Sequence, residues 1–273
     1  MSITDSEVVS AMSSMTGKVA VVLGAAGEGN MGQVIAGALY KEGASVVVAG
    51  RSKKELERFS SRIEGLAVCC DITSKADIEN LFDSAIEKFG KVDVVVNATG
   101  WGLLKSFEET TEDDLKKMCD IQYIGPFMLF QEAVRRVGHG ASLIQISSAT
   151  ATIMFEDHAA YMGTKAGTDH VIRCIANEYG SKGIRANSIS PGLTDTPMTA
   201  EAKQTPGVFD AFVQGYPLGR IGTSEDIAAA VVWLASDSCF MTGQNLQVNG
   251  GLTLRRNPMK SEIEAAVVSA IGE

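Results

Sequence analysis

The chain has 273 residues, 45% hydrophobic and 21% charged, with a net charge of −9 at pH 7. That length and apolar content suit one large α/β core better than two small ones. An acidic balance without any stripe of Lys or Arg argues against nucleic acid as a partner, and no apolar stretch is long enough to span a membrane.

In chain order, the first residues, M-S-I-T-D-S-E-V-V-S-A-M, lack the basic segment and apolar run of a signal peptide. Residues 1–16 read as an N-terminal extension holding at most one short helix outside the core. Lys18 to Leu23 is a β-branched run, a buried strand. It opens into the glycine-rich turn from Gly24 to Gly32, and a helix follows from Gln33. Ser45 to Ala49 predicts a second strand, with a charged helix from Lys53. Leu66 to Cys70 predicts a third, ended by Asp71-Ile72-Thr73 and followed by a helix over Lys75 to Phe89.

Val92 to Val96 is the fourth strand, and a single helix is expected from Thr111 through Phe130. Leu143 to Ile146 is the fifth strand. Beyond Asp157 a helix carries Tyr161 and Lys165. Ile184 to Ile189 is the sixth strand, ended by Pro191-Gly192. A helix capped at Ser224-Glu225-Asp226 precedes a last short strand at Leu246 to Val248, and a tail helix is expected over Ile263 to Ile271. Alternating strands and helices predict a single-domain, doubly wound parallel sheet of about seven strands with helices on both faces. The domain is taken as residues 17–252 and the tail as 253–273.

Ligands in such folds sit beyond the carboxyl ends of the strands. The glycine turn, Arg51, Asp71, Asn97, Ser148 and Pro191-Gly192 all fall there. Tyr161 and Lys165 are i and i+4, stacked on one helix face about 5–6 Å apart. A phenol titrates near pH 10, and an ammonium beside it is expected to lower that value. Tyr161 is then placed to move a proton to or from a carbonyl or alcohol oxygen, and Ser148 to hold that oxygen by a hydrogen bond. Interconverting an alcohol and a carbonyl needs a borrowed hydride carrier. Gly27-x-Gly29-x-x-Gly32 fits a dinucleotide turn at a helix N-terminus. The second strand ends in Ala49-Gly50 with Arg51-Ser52 behind it, where NAD-selective sites carry an acid. Arginine there favours the 2′-phosphate of NADP(H), with NAD(H) possible.

Five cysteines without a C-x-x-C pair read as free thiols of a reducing cytoplasm. His139, His158 and His170 are scattered and do not resemble a metal site.

These motifs together resemble the short-chain dehydrogenase/reductase family from about Gly17 to Gly251. The motifs are the glycine-rich turn, Cys70-Asp71-Ile72-Thr73, Asn97-Ala98-Thr99-Gly100, Ser148, Tyr161-x-x-x-Lys165, and Pro191-Gly192 with Thr196. The resemblance implies that Tyr161 is the acid/base, that Lys165 holds the nicotinamide ribose, and that Ser148 orients the substrate oxygen. It implies a cofactor site of Gly24, Gly29, Asn30, Met31, Gly32, Arg51, Ser52, Asp71, Ile72, Asn97, Ala98, Thr99, Gly100, Tyr161, Lys165, Pro191, Gly192, Thr194 and Thr196. It also implies a homotetramer, or a homodimer. Aligned on Gly125-Pro126-Phe127, Gln122 stands where the family has a catalytic asparagine. The first turn departs too, with Leu23 for the usual threonine and a loop two residues longer.

Trp101, Met154, Phe155, Met198 and Phe209 are candidate substrate contacts and suggest a hydrophobic or cyclic ketone. The alternatives are a 3-oxoacyl thioester reductase or a nucleotide-sensing regulator of the same fold.

Overall fold

The computed structural model describes residues 15–272. Seven parallel strands form the main sheet: β1 (Val19–Leu23), β2 (Ser45–Gly50), β3 (Leu66–Cys69), β4 (Val94–Asn97), β5 (Ser142–Ile146), β6 (Arg185–Pro191) and β9 (Asn245–Val248). A separate two-stranded ladder pairs β7 (Thr194–Asp195) with β8 (Gly222–Thr223). The helices are α1 (Met31–Lys41), α2 (Lys53–Ser60), α3 (Lys75–Phe89), α4 (Glu112–Cys119), α5 (Gly125–Arg136), α6 (Ala159–Tyr179), α7 (Ala200–Gln204), α8 (Val208–Val213), α9 (Ser224–Ala235) and α10 (Lys260–Ile271).

Side chains alternate across a strand, so one β-branched run feeds two cores. Ala20 and Val22 of β1 pack with Ile35 and Leu39 of α1 and Val231 and Leu234 of α9. Val21 and Leu23 face the other way, against Leu81 and Phe82 of α3 and Leu129 and Phe130 of α5. Every residue of β1 is buried, as a central strand covered on both faces should be.

The strand order is β3-β2-β1-β4-β5-β6-β9. The order reverses between β1 and β4, and the crevice beyond their carboxyl ends is where such a sheet takes a ligand. Register aligns the ends. Leu23 pairs with Asn97, Asn97 with Gln145, and Gln145 with Ser188.

Three expectations change. Met15, assigned to the extension, is fully buried and its amide donates to Glu42 O; residues 1–14 lie outside the described residues. The helix expected from Thr111 to Phe130 is broken by a π-helical turn over Asp120–Ile124. There Gly125 N reaches back to Asp120 O, and Pro126 has no N–H to continue the ladder. Gly125 is also pressed on Ile72, whose carbonyl oxygen would lie 2.8 Å from any added Cβ. The tail helix begins earlier than expected, at Lys260, and packs on α8 of its own chain. Among the described residues, no helix is long and apolar enough to cross a membrane.

Candidate active site

Ser148 follows β5 and caps a short 3-10 turn, with its Oγ 2.8 Å from Thr150 Oγ1 and its carbonyl accepting from Ser190 Oγ. Tyr161 and Lys165 project from the first turns of α6. Lys165 Nζ lies 5.5 Å from the Tyr161 ring centroid and donates to Ile146 O at 2.9 Å. The Ser148 hydroxyl is near enough to the phenol to influence its ionisation. The three side chains are therefore brought together at the end of β5.

Their ionisation differs from the expectation. Burial pushes the Tyr161 phenol up to about 12, and the Ser148 hydroxyl pulls the other way. Burial also draws Lys165 down to about 8. Tyr161 keeps part of its surface open, whereas Lys165 is 3% exposed. The ammonium lies over the ring, and the loss of water around the phenol outweighs the hydrogen bond from Ser148.

Gln122, in the π-helical turn, is buried beside this trio but does not hydrogen-bond Lys165. Its Oε1 accepts from Trp101 N at 3.3 Å, and its Nε2 donates to Met118 Sδ and Thr164 Oγ1. Its carbonyl is taken by Thr168 Oγ1 at 2.6 Å. Gly100 lies between, because a Cβ there would stand 3.3 Å from Gln122 Oε1 and 3.9 Å from Lys165 Nζ.

At the glycine turn, Asn30 caps α1. Its Oδ1 accepts from Gln33 N and its Nδ2 donates to Gly24 O. Gly29 N donates to Gln33 Oε1, whereas the amides of Met31 and Gly32 have no acceptor among the described residues. Two free amides at a helix N-terminus fit a pyrophosphate. Gly24 lets Ala98 approach, since a Cβ there would lie 2.6 Å from Ala98 C. Asn97 Oδ1 accepts from Thr99 N and Oγ1, and its Nδ2 donates to Gln145 Oε1.

Beyond β2 and β3, a cavity of about 390 Å³ is lined by Arg51, Asp71 and Thr73 with Asp113, Lys116, Lys117 and Asp120. Its size and mixed charge fit the adenosine end of a dinucleotide. Hydrogen bonds from Thr73 N and Oγ1 hold the Asp71 carboxyl below the usual range, helped by Arg51. Ile72 is buried in the sheet core, so only its backbone is available to a ligand. Ser52 is exposed at the head of α2 and makes no capping bond. Gly192, just past Pro191, is pressed by Tyr216 Oη, 2.2 Å from a built Cβ. Thr194 Oγ1 donates to Gly192 O, and Thr196 is braced by Thr199.

The expected substrate residues do not form one wall. Phe155 meets Phe212 at a 58° tilt with ring centroids 5.5 Å apart, in a small apolar cluster with Ala149, Tyr216 and Leu252. Phe209 is half-buried on α8, while Met154 and Met198 are 72% and 66% exposed. The Trp101 ring turns toward α4, with Lys117 Nζ 4.0 Å above it.

Two features were not anticipated. His158 stacks on Tyr161 at 4.3 Å and holds Leu103 O through Nδ1 at 2.8 Å; its spacing of three residues from Tyr161 was the available signal. The tail also clasps the loop before α6. Asn257 Nδ2 donates to Met154 O, and Lys260 donates to Glu156 through its amide and to Asp157 through Nζ.

The family model described as enoyl-(acyl carrier protein) reductase matches residues 24–253. An uncharacterized oxidoreductase of Methylorubrum extorquens is 35% identical, over 88% of this chain and 100% of its own. A 3beta-hydroxysteroid dehydrogenase of Eggerthella lenta is 34% identical, over 88% of this chain and 95% of its own. The structure of a short-chain type dehydrogenase/reductase from Mycobacterium ulcerans superposes with a TM-score of 0.87 at 27% identity, covering 93% of this chain and 98% of that one.

Proposed function

The chain belongs to the short-chain dehydrogenase/reductase family, an oxidoreductase family that works with a nicotinamide cofactor, and on that premise we propose an NADP(H)-preferring enzyme that interconverts a secondary alcohol and a ketone. The observation that carries the proposal is the meeting of Ser148, Tyr161 and Lys165 at the end of β5. When bound, the nicotinamide supplies or accepts the hydride.

In the direction of reduction, Tyr161 gives its proton to the substrate oxygen as charge develops there, and Ser148 holds that oxygen by a hydrogen bond. Lys165 favours the phenolate left behind and holds the ribose. A phenol with a pKa near 12 is fully protonated at neutral pH, ready to act as the acid. Gln122 anchors the backbone at Trp101 and so shapes the floor beneath the cofactor, rather than relaying a proton to Lys165.

Arg51 at the end of β2 favours a 2′-phosphate, since no carboxylate follows the strand directly. The apolar cluster of Phe155 and Phe212 favours a hydrophobic or cyclic ketone, in keeping with the steroid dehydrogenase among the relatives. We place the enzyme in the cytoplasm as a homotetramer.

The test is oxidation of NADPH and NADH by the purified chain with cyclic ketones, steroid ketones and 3-oxoacyl thioesters. Turnover of the cyclic substrates with NADPH is expected. Turnover of the thioesters alone would move the assignment to a 3-oxoacyl thioester reductase, and tight cofactor binding without turnover of any class to a nucleotide-sensing regulator.

A further inference from the structure

Tyr161, Lys165 and Asp169 follow one another at i, i+4 and i+8 along α6, on one face of the helix. The proposed chemistry does not use Asp169. Its Oδ2 accepts from Ser147 Oγ at 2.8 Å and from Asn245 Nδ2 at 2.6 Å. Its Oδ1 is sealed from solvent and completes no hydrogen bond, and the same is true of Ser188 Oγ. The Ser188 hydroxyl nevertheless sits close enough to help hold the carboxyl ionised.

A carboxylate fixed in this way is costly to keep beneath a sheet end unless a positive charge faces it. Lys165 is that charge. Its Nζ donates to Ile146 O, the residue before Ser147 and Ser148, and does not close a direct ion pair with Asp169. The surrounding elements contribute neutral groups: Gln122 from the π-helical turn, Ser147 just after β5, Ser188 from β6 and Asn245 from β9. The titratable neighbours are Tyr161 and, stacked beyond it, His158, whose pKa burial lowers.

We propose that Asp169 is a positioning residue for Lys165: the fixed counter-charge that keeps the buried amine an ammonium and aims it at Tyr161 and the ribose site. Gln122 does not supply that counter-charge: it is neutral, and its hydrogen bonds go to Trp101, Met118, Thr164 and Thr168 rather than to Lys165. The electrostatics agree. Burial draws Lys165 down to about 8, and Asp169 is the one group that opposes it. In return, burial raises the Asp169 carboxyl and Lys165 helps to lower it.

This inference rests on the role proposed for Lys165, and its test reads the amine directly in the full chain without cofactor. With lysine labelled at Cε, the Lys165 resonance is assigned by its loss in Lys165→Met and followed against pH. Removing a facing negative charge destabilises the ammonium, so the midpoint in Asp169→Asn should fall by about one pH unit or more. Asp169→Glu, which keeps the charge, should retain most of the wild-type value. Equal midpoints in wild type and Asp169→Asn would overturn the proposal. Should Asp169→Asn fail to fold, Asp169→Ser repeats the test with a hydroxyl left for Asn245. Turnover by Tyr161→Phe judges the enzyme reading separately, so failure of one claim is distinguishable from failure of the other.

Discussion

Replacing Gly32 by alanine tests whether the head of α1 holds the cofactor. A Cβ at residue 32 would lie 2.5 Å from Gly24 O and 2.7 Å from Gly24 C. Ordinary contacts are about 3.5–4.0 Å, so the first turn of α1 must withdraw by roughly 1 Å. Both atoms belong to backbone, and no flexible side chain can give way. Alanine favours a helix interior over glycine by about 1 kcal/mol, less in a first turn, while overpacking costs about 1–3 kcal/mol. The packing penalty wins, and a net loss of about 1 kcal/mol lowers the melting temperature by about 2–4 °C in a chain of this size.

The larger effect should fall on the cofactor. Withdrawing the turn moves the two amides without an acceptor, Met31 N and Gly32 N, and a hydrogen bond to a charged group contributes about 1.5–3 kcal/mol. Losing one such bond weakens NADPH binding roughly ten- to hundredfold. The assay is fluorescence titration of NADPH beside a thermal melt of the free protein. Gly102→Ala is the control, because nothing lies within 4 Å of a Cβ there, and it should bind and melt as wild type does. Wild-type NADPH affinity in a Gly32→Ala protein with a lowered melting temperature would refute the placement of the pyrophosphate.

Two further outcomes follow from the same structure. Arg51→Ala should weaken NADPH roughly ten- to hundredfold, by loss of a charge-assisted contact to the 2′-phosphate, and leave NADH unchanged; equal effects on both would remove Arg51 from cofactor choice. Truncation after Asn257 removes the Lys260 contacts to Glu156 and Asp157 and frees the loop leading to His158. KM should rise roughly tenfold, equivalent to about 1.4 kcal/mol, with kcat and oligomer mass retained. A changed mass with an unchanged KM would instead place the tail at a subunit interface.

The seven strands and their helices were legible because a buried parallel strand must be a short, nearly continuous apolar run, as in Val19–Leu23 and Ser142–Ile146. The site was legible where chemistry fixes spacing, as in Tyr161 and Lys165 one turn apart. What could not be read depended on orientation or on distant pairing. His158 and Asp169 have helical spacing to the same pair, yet only the packed structure says which way each side chain turns. The π-helical turn at Asp120–Ile124 arises where Gly125 meets Ile72, two residues 53 positions apart. Lys260 and Asp157 are 103 residues apart, and no local pattern announces such a contact. The lowered phenol pKa expected from spacing alone was reversed because spacing carries no information about burial.

The central claim is that Tyr161 passes the proton while a bound nicotinamide exchanges the hydride. The most direct measurement is NADPH oxidation by Tyr161→Phe with whichever ketone wild type reduces, alongside NADPH titration of both proteins. Phenylalanine keeps the ring stacked on His158 and removes only the hydroxyl, so the account predicts near-wild-type NADPH binding with turnover reduced by about 10²–10⁴-fold. Turnover by the variant at the wild-type rate would contradict it.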